Sequence, residues 1–165
     1  MNHLVISFMI KDRPGLVETL SKVVKQHQGN WQNSSLHHLS GFFTGVLEIA
    51  VERAQSSALT RDLKALPGFT INIEQATPEK ANNAANIVLE LTANDREGIV
   101  EEISAVIHHR GGNMLKLVSV QDNAPHTGQA LFKAKITLSV DNKQTDSLIS
   151  ALEDLADDLM VDISR

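Results

Sequence analysis

The sequence predicts an α+β protein built from two βαββαβ modules in tandem, each with an antiparallel sheet. Three observations lead there: a repeated stretch, the same order of patterned segments in each copy, and a polar segment between them. The repeat is clearest where Lys11-Asp12-Arg13-Pro14-Gly15-Leu16-Val17-Glu18 aligns with Asn94-Asp95-Arg96-Glu97-Gly98-Ile99-Val100-Glu101, an offset of 83 (95 − 12). The same offset carries Leu20 to Ile103, Ser21 to Ser104, Val23 to Val106, Val24 to Ile107 and Gly29-Asn30 to Gly112-Asn113. Further on the offset becomes 89 (132 − 43), where Phe43 meets Phe132, Leu47 meets Ile136, Val51 meets Val140, Leu59 meets Leu148 and Leu63 meets Leu152. The second copy therefore holds six extra residues (89 − 83), placed most simply in the turn-forming run Asp122–Gly128 as a longer hairpin loop.

Within each copy the elements follow from local patterning. His3 to Ile10 is apolar and β-branched, a buried strand. Leu16, Leu20, Val23 and Val24 fall on one face of an amphipathic helix, with Pro14 suited to its first turn and Gly29 to the left-handed position after its last. Trp31 to Leu39 and Phe43 to Val51 read as strands around a turn at Ser40-Gly41. Leu59, Leu63 and Leu66 share a face of a second helix ended by Pro67-Gly68, and Phe69, Ile71 and Ile73 alternate as a last strand. Thr77 to Ala85 is small and polar; then Ile87 to Thr92 restarts the order and Val161-Asp162-Ile163 closes it. The expected boundaries are a first module over 1–76, a linker over 77–85 and a second module over 86–165. This order is the ferredoxin-like split βαβ pattern. At about 80 residues each, such modules have small cores and are expected to pack on one another and on a second chain.

Composition narrows the function. The 165 residues are 42% hydrophobic, enough for packed cores, and contain no cysteine, which excludes disulfides and thiolate chemistry. The N-terminal run reads as a strand and not as a signal peptide, no run is long enough to span a membrane, and the expected location is the cytoplasm. A net charge of −5 without a basic block disfavours direct binding to nucleic acid. The absence of Tyr, the single Trp and the placing of Phe42-Phe43 near a turn disfavour base stacking on an RNA-binding sheet. Trp31 is expected to pack in a core or an interface. No metal site is expected: His37-His38 alternate across a strand, His108-His109 and His27 suit helix C-terminal turns, and His126 lies in the loop. Ser21 and Ser104 lack a neighbouring base and read as small packing residues, so no catalytic residue is assigned.

The segment most able to carry chemistry is the strand-to-helix turn, Asp12-Arg13-Pro14-Gly15 and Asp95-Arg96-Glu97-Gly98. A helix N-terminus offers unpaired N–H groups to a carboxylate, and Gly15 and Gly98 let a ligand approach the backbone. The same residues also admit a purely structural role, with Asp12 and Asp95 capping their helices. Recurrence of the tetrapeptide in both copies, with Asn30 and Asn113 returning after each helix, gives a ligand-binding role equal weight with the structural one.

This turn, the helix behind it and the following Gly-Asn resemble ACT domains, the amino-acid-binding regulatory modules of metabolism, once per copy over nearly the whole chain. In that family the ligand lies where two modules meet, on the first turn of one and on the residue opening the second strand. The resemblance thus implies Asp12, Arg13, Gly15, Leu16, Asn30, Asp95, Arg96, Gly98, Ile99 and Asn113 as ligand-binding residues, with no cofactor. Several members carry Asn at the place of Asp12 and Asp95; an ionised Asp only accepts hydrogen bonds, so it suits the ligand's ammonium and leaves the carboxylate to backbone N–H groups, Asn30 or Arg13. Similar turns open the ACT parts of formyltetrahydrofolate hydrolases and nitrogen-sensing uridylyltransferases, but the modules as read leave no residues for a catalytic domain. A stand-alone pair is most similar to the glycine cleavage system transcriptional repressor family. That implies a cytoplasmic, non-enzymatic regulator, a homodimer, that senses a small amino acid, glycine first, and represses transcription through a partner transcription factor. The alternatives are an interaction module without a ligand, a regulatory subunit of an amino-acid-metabolism enzyme, and a small hydrolase. The longer loop either marks the second copy as the one that touches the partner or is only a tolerated insertion.

Overall fold

The computed structural model describes residues 1–80 and 86–164. The chain divides into two compact units, Met1–Lys80 and Ala81–Arg165. Residues 77–80 carry no regular secondary structure; the remainder of the expected linker, 81–85, lies outside the described residues, as does Arg165.

The first unit runs β1 (Asn2–Lys11), α1 (Leu16–Gln26), β2 (Asn30–Leu39), β3 (Phe42–Val51), α2 (Arg53–Lys64) and β4 (Thr70–Ala76). The second repeats it as β5 (Asn86–Asn94), α3 (Ile99–His109), β6 (Asn113–Asn123), β7 (Ala130–Ser139), α4 (Thr145–Glu153) and β8 (Met160–Ser164), with a 3-10 turn at Asn142–Gln144 before α4. Each sheet is antiparallel, in order β2-β3-β1-β4 and β6-β7-β5-β8, the ferredoxin-like arrangement expected.

Alternation along β1 sends Leu4, Ile6, Phe8 and Ile10 to the helix side, where they meet Leu16, Leu20 and Val24 of α1 and Leu59 and Leu63 of α2. Burying each of these side chains stabilises the unit by about 1.5–3 kcal/mol. The second core repeats the pattern with Leu89, Leu91, Ile99, Ile103, Ile107, Leu148 and Leu152. Trp31 is half-buried against the first core, in line with a packing role. Phe42 and Phe43 belong to β3 and not to a turn; Phe43 stacks on Phe8 at a centroid distance of 5.7 Å.

Four local readings need correction. Pro14 does not lie in the first helical turn, because α1 opens at Leu16 behind a left-handed Gly15 (φ 86°). Leu66 packs on the core but falls beyond α2, which ends at Lys64. Asp122 and Asn123 are ladder residues, paired with Leu131 and Ala130, so the longer connection spans 124–129. The fourth concerns the end of α1. The left-handed residue there is Gln28 (φ 58°), not Gly29, and in the second unit it is Gly111 (φ 77°). Gly29 serves a different need: a Cβ there would sit 3.0 Å from Val24 Cγ1 and 3.1 Å from Ile49 Cγ2, and its N–H closes the helix on the Val24 carbonyl at 2.9 Å. A non-glycine residue in the left-handed region is strained. Gln28→Gly is therefore expected to stabilise the first unit by about 0.5–1 kcal/mol. Chemical denaturation checks this, and an unchanged or lowered midpoint would contradict it.

Candidate functional site

The strand-to-helix turn is held by the hairpin beside it. Asp12 N–H donates to the Gly41 carbonyl at 2.9 Å, and Asp95 N–H to the Ala130 carbonyl at 3.0 Å, so each turn continues the β1–β3 or β5–β7 ladder by one step. The side chains of Asp12 and Asp95 do not cap the helices. The residues flanking them are Gly15 and Gly98 (φ 86° and 81°), and neither helix has a side-chain cap. Instead, His38 at the end of β2 donates through Nδ1 to Asp12 Oδ2, and Gln121 Nε2 at the end of β6 donates to Asp95 Oδ2 at 2.6 Å. His38 and Gln121 are equivalent positions (121 − 38 = 83), a pair the sequence reading did not single out. The other oxygen of each aspartate makes no hydrogen bond among the described residues.

Neither 11-residue helix has a side-chain cap on its opening N–H groups, which lie beside a fixed carboxylate; in α3 the first of them, that of Ile99, already donates to the Arg96 carbonyl at 3.4 Å. In α1 the next N–H, that of Thr19, is already taken by the Gly15 carbonyl at 3.0 Å. Asp12, Arg13, Gly15, Leu16, Val17, Glu18 and Phe43 line a shallow cleft of about 220 Å³ over this turn. That is below the roughly 300–1,000 Å³ typical of drug-sized ligands, so it has room for a small molecule. The side chains of Leu16 and Ile99 are buried in their cores, and only their backbone can face a ligand.

The two arginines differ. Arg96 Nη1 donates to Glu102 Oε1 at 3.0 Å and Nη2 to Oε2, a two-pronged pair that holds Glu102 below the usual carboxylate range and raises Arg96 further. Asp158 also faces Arg96 electrostatically, and its carboxylate takes the Asn94 N–H at 2.6 Å.

Asn30 and Asn113 are not brought to these turns within their own modules. Asn30 pairs with Ala50, which pairs with His3 at the start of β1, whereas Asp12 follows the end of that strand. Nine residues of strand separate the two levels, roughly 30 Å at about 3.3 Å per residue. Asn113 stands level with Asn86 in the same way, through Ser139.

The histidines are spread out. Among the described residues no group of three or more His, Asp or Glu side chains is placed to hold a metal ion. His27 is the most enclosed: Nε2 meets Asp62 Oδ2 at 2.7 Å and Nδ1 meets Gln55 Oε1 at 3.3 Å, tying the end of α1 to α2. His27, with Arg61, holds the Asp62 carboxyl below its ordinary value. A carboxyl with a lower pKa in the folded chain binds fewer protons there than when unfolded. Its contribution is complete above the unfolded value, near 4, and is lost as pH falls through the lowered folded value. Asp62→Asn is expected to flatten the loss of stability between about pH 5 and pH 3, as read from denaturant midpoints. A slope equal to that of the parent chain would contradict the assignment.

The fold and the paired turns define the chain as a tandem of ferredoxin-like modules with the architecture expected of an ACT pair. Neither family models nor curated proteins give a match to the sequence. Solved structures do. An unknown protein from Galdieria sulphuraria is 26% identical, with 99% of this chain and 97% of that chain aligned and a TM-score of 0.79. A "putative glycine cleavage system transcriptional repressor" is 20% identical, over 99% of this chain and 98% of that one, with a TM-score of 0.72. The full-length overlap shows that the whole two-module architecture is shared.

Proposed function

We propose that this chain is a non-enzymatic regulator that binds a small amino acid, glycine first, and controls transcription through contact with a partner transcription factor. The observation that carries this reading is the Asp12–Leu16 turn: a fixed carboxylate, a guanidinium and uncapped helix N–H groups around a cleft of about 220 Å³. A zwitterion matches that set. Its ammonium faces Asp12, and its carboxylate faces Arg13 and the first-turn N–H groups, which favour an anion through the helix dipole. At about 220 Å³ the cleft has room for a small amino acid. The likeness to a "putative glycine cleavage system transcriptional repressor" supports a role in repression. A net charge of −5 argues for a protein partner over DNA. No helix of the described residues is long and apolar enough to cross a membrane, and we place the protein in the cytoplasm.

A thermal-shift screen of the twenty amino acids tests this. Ligand at 100 times its dissociation constant adds about 2.7 kcal/mol to the module that binds it. For a module of this size that raises its melting point by about 10 °C or more. The expected result is such a shift with glycine and smaller shifts with bulkier amino acids. A flat profile across all twenty would refute the reading.

A further inference from the structure

The arginines of the two turns differ in what they meet in the helix that follows. In the second module Glu102 sends both oxygens to Arg96. Its equivalent in the first module is Thr19 (102 − 83), whose hydroxyl donates to the Gly15 carbonyl at 3.0 Å and leaves the arginine alone. Glu18 is engaged with Lys22 at 3.0 Å, and among the described residues Arg13 has no hydrogen-bond or ion-pair partner. Resting on the amino-acid reading above, we infer that Glu102 is a built-in occupant of the second module's carboxylate position, so that only the first module accepts a ligand carboxylate and each chain binds one.

The charge around the two turns supports the same division. Three further replacements act in one direction: Lys11 becomes Asn94, Pro14 becomes Glu97, and Gly68 becomes Asp158, with Gly68 two residues before Thr70 and Asp158 two residues before the matching strand residue Met160. Together with Thr19 to Glu102 they make the second turn four charge units more negative than the first. Asp158 and Glu102 both act on Arg96, so its positive charge is already balanced from two sides. A free carboxylate approaching the second turn would have to displace a tethered one and approach acidic neighbours while doing so. A tethered competitor acts at a high effective concentration, which lowers the affinity of a free one by about tenfold or more.

The test uses the full chain and sodium acetate, a carboxylate with no ammonium, with sodium chloride at equal ionic strength as the control. Arginine Nε–H signals of Arg13 and Arg96 are followed by NMR and assigned with the Arg→Lys variants. In the parent chain acetate is expected to move Arg13 and leave Arg96 in place. In Glu102→Thr, Arg96 should respond with a midpoint within about threefold of that for Arg13, and in Thr19→Glu the Arg13 response should weaken about tenfold or more. Glu102→Gln, which keeps the side-chain length without the charge, should also free Arg96 and serves if the threonine variant fails to fold. Equal responses of both arginines in the parent chain would overturn the inference, as would an Arg96 that stays silent in both folded Glu102 variants. A glycine titration run alongside separates the two readings. Unequal acetate responses without glycine binding would remove only the amino-acid ligand, and glycine binding with equal acetate responses would remove only the division between modules.

Discussion

Gly45→Ala is expected to destabilise the first module by about 3 kcal/mol, near the upper range for adding an atom to a packed core. Gly45 lies in the middle of β3, paired with Phe8 on one side and Leu36 on the other. A Cβ there would stand 2.4 Å from the Ser35 carbonyl oxygen, 2.6 Å from Leu36 Cδ2 and 2.9 Å from Leu36 Cα. Two of those three atoms are backbone, so a rotamer change cannot relieve the contact and the β2–β3 pairing itself must shift. The second module shows how a side chain is tolerated at this level: Ala134 occupies the equivalent place in β7, opposite Ser119 where the first module has Leu36. Both facing residues are small in the second module. Leu36→Ser should therefore recover part of the loss when combined with Gly45→Ala, a coupling of roughly 1 kcal/mol between residues in contact. Denaturant unfolding measures both variants. Gly45→Ala with the midpoint of the parent chain would show that the strands have more room than the structure gives them.

Arg13→Ala is expected to reduce the glycine-induced rise in melting point to a small remainder, corresponding to a loss of about 1.5–3 kcal/mol in affinity, or roughly 10- to 100-fold. Arg13 is exposed and its guanidinium is not committed to another residue among those described, so its removal should leave the apo melting point within about 0.5 kcal/mol of the parent chain. Arg13→Lys should keep part of the effect, as a point charge without the planar fork. Arg96→Ala should leave glycine binding unchanged, because Arg96 is engaged by Glu102. Differential scanning calorimetry with and without glycine reads all three. A full glycine response in Arg13→Ala would remove the guanidinium from the site.

Most of the architecture was legible because it is written in periodicity. The four-residue spacing of Leu16, Leu20 and Val24 and the alternation of Leu4, Ile6, Phe8 and Ile10 each place a whole element against the core, and the repeat shows every element twice. What was not legible depends on contacts between distant residues. Nothing local marks Gly45 as crowded, since the atoms that crowd it belong to Ser35 and Leu36 across the strand pair. Gly29 looked like a left-handed helix stop because glycine usually is one, yet the strain fell on Gln28 and the crowding on Gly29. At the site, the sequence brought out Asp12, Arg13 and Gly15 through their recurrence at Asp95, Arg96 and Gly98. It could not give the partners of the aspartates, His38 and Gln121, because they come from the far end of another strand. The Arg96–Glu102 pair carried a detectable signal, a glutamate that breaks an otherwise well-matched repeat at Thr19.

Isothermal titration calorimetry of the full chain with glycine tests the central claim most directly. The account predicts a saturable heat with one site per chain, lost in Arg13→Ala and retained in Arg96→Ala. No heat from the folded chain, or two equal sites that survive Arg13→Ala, would contradict it.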